Sequence, residues 1–166
     1  MESLSREFEV FSNPLDVLEE LVNANEWPFD RASDSELIVE VSGRWCDYHL
    51  CFVWQPEVAA VLFSCHFDHK VPSTKRREVH DLLAAVNERL WLGHFDLTRD
   101  EGMPMFRHTI PLRGAQAVSV EQLEDVVDTA VLECDQFFPA LQLVLWSGQN
   151  VAQAMSVAMM ETVGEA

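Results

Sequence analysis

His66, Asp68 and His69 crowd one short stretch with Cys65 beside them, and His94 and Asp96 form a second polar pair downstream. Imidazole and carboxylate side chains ligate divalent metals, so a His/Asp metal site is the first chemistry to weigh. On a strand His66 and Asp68 share one face while His69 falls at a turn, and there is no H-E-x-x-H helix. Polar residues at strand ends explain the cluster without a metal, and that reading is preferred. A second chemistry would use His94 as a general base oriented by Asp96 or Asp68. The chain has no Ser or Cys in a recognisable nucleophile elbow and no phosphate-cradling glycine loop, so no catalytic residue, metal or cofactor is assigned and an enzyme is not expected. Arg107, beside His108, belongs on a later strand. Pairing with Glu88 or Asp96 of its own chain is preferred to pairing with a partner's carboxylate. The polar set to locate is therefore His66, Asp68, His94, Asp96 and Arg107.

The surface chemistry points elsewhere. The 166 residues hold 28 acidic and 11 basic side chains, a formal charge of −17, which repels phosphate backbones. The one basic cluster, Lys70, Lys75, Arg76 and Arg77, has no aromatic interleaving, so nucleic-acid binding is disfavoured. From Gly114 onward there is no Lys or Arg at all, while Glu121, Glu124 and Asp128 stand among eight carboxylates. Such a segment is either a solvated face or a means of steering a basic protein partner. The last helix-like stretch, Val151 to Val163, carries Met155, Met159 and Met160 among alanines and valines, leaving little polar surface on any side. It must be covered, within the chain or across a homodimer, and thioethers suit an adaptable interface.

With 48% hydrophobic and 10% aromatic residues the chain is no disordered or low-complexity protein, and its length suits a single domain, residues 11–166, behind a leader of residues 1–10. No apolar run reaches the roughly 18 residues that span a bilayer, and the first residues are too acidic for a signal peptide, so a cytoplasmic location without membrane contact is expected. Cys46, Cys51, Cys65 and Cys134 include no C-x-x-C pair and are expected to be reduced thiols.

Several elements must position these residues. Asn13-Pro14 opens an amphipathic helix with apolar Leu15, Leu18, Leu21 and Val22, ended by Trp27-Pro28-Phe29. Leu37–Val41, Cys46–Trp54 and Ala59–Phe67 alternate as three antiparallel strands, because their connections are too short for parallel crossovers. Val79, Leu82, Leu83, Val86 and Leu90 share one face of a second helix with Lys75, Arg76 and Arg77 turned outward. Leu92–Thr98 and Met103–Leu112 form a hairpin, and Ser119 with Gln122 makes a capping box for a third helix that Pro139 is expected to kink. Helices segregated from an antiparallel sheet of about five strands make an α+β two-layer domain.

The segment Asn87-Glu88-Arg89-Leu90-Trp91-Leu92-Gly93-His94-Phe95-Asp96-Leu97, followed by Gly102, Phe106, Arg107 and His108, resembles the YbjN family, and its alphaproteobacterial members most closely. Lys70-Val71-Pro72, Phe138-Pro139-Ala140, Val144-Leu145-Trp146 and the closing Met160 to Ala166 extend the resemblance over roughly residues 10–166. It implies a fold similar to type III secretion chaperones, often dimeric, and a role in sensory transduction regulation through protein binding. The family supplies no catalytic residues to transfer. The expected function is a non-enzymatic chaperone-like or regulatory adaptor, a homodimer whose client contacts involve Glu121, Glu124, Asp128, Met155, Met159 and Met160. A small-ligand sensor is the alternative, with an apolar pocket between sheet and helix lined by some of Trp45, Trp54, Trp91 and Phe95. A hydrolase or metal-dependent enzyme ranks third.

Overall fold

A computed structural model describes residues 13–115 and 117–163. Asn13 caps helix α1 (Pro14–Ala24) by accepting from the Leu15 N–H at 3.0 Å, and Pro14 occupies the first turn, where its missing donor costs nothing. Strands β1 (Phe29–Ser33), β2 (Glu36–Ser42), β3 (Asp47–Gln55) and β4 (Ala60–His66) follow as an antiparallel meander. A short 3₁₀ turn, Ser73–Lys75, leads into α2 (Arg76–Asn87). Strands β5 (His94–Leu97) and β6 (Pro104–Pro111) form the hairpin, and helices α3 (Val120–Trp146) and α4 (Val151–Val163) complete the chain. The sheet has six strands in the order β1-β2-β3-β4-β6-β5.

Two expectations are corrected here. The sheet has six strands rather than five, because Phe29–Ser33 is an edge strand. Its Asp-Arg-Ala-Ser composition lacks the β-branched run that marks a strand, and pairing with β2 imposes the conformation instead. Arg76 does not face outward: its guanidinium donates to the carbonyls of Arg99 at 2.7 Å and Asp100 at 3.1 Å, fastening α2 to the β5–β6 turn.

Alternation along the strands sends Leu37, Val39, Tyr48, Leu50, Phe52, Phe63, Cys65, Phe95 and Phe106 into one core, shared with Leu15 and Leu18 of α1, Val79 and Leu82 of α2, and Cys134 and Phe137 of α3. Phe137 stacks on Phe95 with ring centroids 4.4 Å apart, and the Cys134 thiol lies 3.6 Å from the Cys65 sulfur, so α3 lies directly on the sheet. Helix α4 packs on α3 and α2, with Ala154 fully buried. Gly93 has φ +69°, and a Cβ there would fall 2.2 Å from the Phe106 ring, which explains the glycine where α2 gives way to β5.

Helix α3 opens with the reciprocal capping box: Ser119 Oγ accepts from the Gln122 N–H and Gln122 Oε1 from the Ser119 N–H, at 3.1 and 3.0 Å. It continues through Pro139 to Trp146. Pro139 has no N–H for the Asp135 carbonyl four residues earlier. That carbonyl accepts instead from the Trp45 indole at 2.9 Å. The Asp135 carboxylate accepts from the Arg44 N–H at 2.8 Å and the Tyr48 phenol at 2.6 Å, so the β2–β3 connection docks where the proline leaves a gap in the helix ladder.

Candidate interaction surfaces

The strand residues of opposite parity form the second face of the sheet. Ladder register places Glu36, Val53, Leu62 and Thr109 in one row across it. Ile38, Cys51, Ser64, Arg107 and His94 make the next row, and Glu40, His49, His66, Met105 and Asp96 the third. Ile38, Cys51, Val53 and Leu62 are half-buried, yet none belongs to the core cluster or to the partly buried residues packed against it. The described helices all gather on the other face, so among the described residues this one is an uncovered apolar patch. Asp30, Glu36 and Glu40 edge it on the β1–β2 side, and His49, His66, His94 and Arg107 lie toward β5–β6.

Four members of the sequence-derived polar set meet on this face. Arg107 Nη1 pairs with Asp96 Oδ2 at 3.1 Å, both groups nearly half exposed, and His94 stands opposite Arg107 in the ladder. An ion pair so exposed contributes at most about 1 kcal/mol. Glu88, the other sequence candidate for Arg107, caps the end of α2 and has no ion pair with it. His66 Nε2 lies 2.8 Å from Ser64 Oγ and faces His49 across β3. Burial, reinforced by repulsion from His49 and Arg107, holds the His66 imidazole below its ordinary pKa. Asp68 stands apart, exposed in the bend after β4. Among the described residues no three His, Cys, Asp or Glu side chains gather where they could hold a metal ion.

On the helical side Glu121, Glu124, Asp125 and Asp128 are exposed along α3. Met155 is half-buried, and the Met159 and Met160 side chains lie outside the described residues. The aromatic residues expected to line a pocket under the sheet do not converge: Trp91 is 73% and Trp45 43% exposed, while Phe95 is locked against Phe137. A cleft of about 130 Å³ lies instead between α2, α3 and α4. Val86, Leu90, Phe137 and Met155 supply apolar walls, and Arg89, Glu133 and Gln136 polar ones. The spacing of Glu133, Gln136, Phe137 and Ala140, at i, i+3, i+4 and i+7, is the sequence pattern that places them on one helix face. Burial pushes the Glu133 carboxyl above its usual range, and the charge of Arg89 draws it back.

Comparison with curated protein sequences gives no match. Among solved structures the fold is similar to that titled "Crystal structure of YbjN, a putative transcription regulator from E. coli", with TM-score 0.52 and 16% sequence identity, covering 73% of this chain and 85% of that one. At that identity the likeness is one of fold. The YbjN family profile, described as "Putative bacterial sensory transduction regulator", matches residues 14–143, from the first turn of α1 to near the end of α3. The match ends before Val144-Leu145-Trp146 and the closing segment. No described helix is long and apolar enough to cross a membrane. With α1, the six strands and nearly all of α3 inside the match, the chain belongs to the YbjN family.

Proposed function

We propose that this YbjN-family chain is a non-enzymatic, chaperone-like regulatory adaptor that binds protein partners and works as a homodimer. The observation behind it is the sheet face that no described helix covers, where Ile38, Cys51, Val53 and Leu62 form an apolar centre with carboxylates along one edge. An apolar patch with a polar rim is the ordinary anatomy of a protein-binding surface. The carboxylates Glu121, Glu124 and Asp128 of α3 add a field that attracts basic partners and raises their association rate more than their affinity. The regulator description of the family agrees with this reading.

The test compares proteins cross-linked to the wild-type chain in its native host with those cross-linked to Leu62→Glu and to a triple charge reversal of Glu121, Glu124 and Asp128 to lysine. A partner that is lost with Leu62→Glu, and that associates more slowly with the triple variant at low salt, supports the adaptor. If every captured protein binds both folded variants as well as wild type, the open face is no binding surface.

A further inference from the structure

We infer that the cleft between α2, α3 and α4 is a binding site for a small organic cation with an apolar body of about one ring. The cleft volume of about 130 Å³ sets the size. An apolar protein cavity of about 150 Å³ accommodates benzene, so the part of a ligand seated in this cleft is a single ring or a branched alkyl group. Val86, Leu90, Phe137 and Met155 give that group apolar walls from three different elements.

The polar side of the cleft sets the charge. Glu133 is half-buried on α3, and among the described residues its carboxylate makes no hydrogen bond and no ion pair. Arg89 acts on it electrostatically but does not close to within ion-pair distance, so the cleft keeps the two groups apart. A half-buried carboxylate with no protein donor keeps its acceptor capacity for a ligand, and an ammonium group entering beside it gains a charge-assisted hydrogen bond. Gln136 offers an amide to the same head group. The chain's charge of −17 concentrates cations near its surface and opposes anions that would approach exposed Arg89. The cleft lies on the helical side of the molecule, so this site is independent of the open sheet face and of the adaptor reading.

Calorimetric titration with 2-phenylethylamine tests the assignment, with 3-phenylpropionate as the anion of matched size. Saturable binding is expected for the amine, and binding at least about tenfold weaker for the acid. Glu133→Gln, nearly isosteric, should weaken the amine about tenfold or more, equivalent to about 1.4 kcal/mol. Val86→Trp should fill the cleft and abolish binding at an unchanged melting temperature. If Val86→Trp does not fold, loss of the Met155 methyl resonance shift on adding the amine to Glu133→Gln replaces it. No binding of the amine at ten-millimolar concentration, equal binding of amine and acid, or full binding to Glu133→Gln overturns the proposal. A third arm, acetyl-phenylalanyl-lysine amide, separates sources: if it binds far more tightly than the free amine, the cleft receives a protein side chain and the small-molecule assignment fails.

Discussion

Tyr48 Oη donates a 2.6 Å hydrogen bond to Oδ1 of Asp135, joining the first buried position of β3 to the middle of α3 across 87 residues of sequence. Tyr48 is fully buried, and burial together with the adjoining carboxylate pushes its phenol far above the ordinary range, so it remains a donor. Tyr48→Phe should therefore destabilise the fold by about 1–3 kcal/mol, the usual range for a lost hydrogen bond to a charged group. Urea unfolding measures it; a midpoint equal to wild type would mean that the bond contributes nothing net.

Gly93→Ala should cost about 2–4 kcal/mol, combining a left-handed backbone with overpacking against Phe106. Gly148, at φ +60°, has nothing within 4 Å of a would-be Cβ, so Gly148→Ala incurs the backbone cost alone. The difference in melting temperature between the two variants isolates the contact with Phe106. Equal shifts would contradict it.

Acid should loosen the fold below the usual histidine range. His66 and His108 are both held below 6.5, chiefly by burial, the first also by His49 and Arg107 and the second by His94. The unfolded chain then binds more protons than the folded one, so stability is full above about pH 6.5 and falls as pH drops through the lowered folded pKa values. Denaturant midpoints between pH 7.5 and 5 should decline, and His66→Asn should flatten that decline. A flat wild-type profile sinks the argument.

Static light scattering should return about twice the chain mass of 18.9 kDa at tens of micromolar. Exposed Leu132 on α3 and Val157 on α4 leave apolar surface on the helical side, apart from the sheet face assigned to partners. Leu132→Glu should shift mass toward the monomer without loss of helicity. A wild-type monomer mass refutes the dimer.

Periodicity made most of the architecture legible. The apolar 3/4 spacing of α1 and α2, the alternation of β3 and β4 and the Ser119–Gln122 box all report local physics, and the elements form where those patterns place them. β1 has no local strand pattern, because an edge strand of Asp, Arg, Ala and Ser owes its conformation to its neighbour. The apolar pattern of Leu92–Thr98 predicts a longer hairpin strand than the observed His94–Leu97, since the left-handed Gly93 delays it. Of the site residues, alternation placed His66, His94, Asp96 and Arg107 on strands, but only the ladder register reveals that they share one face. The cleft has no sequence signature because it needs three helices whose mutual packing no local pattern encodes.

The Asp135 carbonyl, left without a helix donor by Pro139 and taken up by the Trp45 indole, also acts as an index mark. Along most of a helix every main-chain oxygen is occupied, and a smooth cylinder of this kind can shift by a turn against a sheet while exchanging one apolar side chain for another. Pro139 frees one acceptor among 27 residues, and the Trp45 indole, fixed by the β2–β3 connection, finds it. A shift of one turn, about 5.4 Å, would leave both groups without their partner. A residue that ordinarily disrupts a helix thereby fixes where α3 sits along the sheet, and with it the distance from the sheet to everything α3 and α4 display.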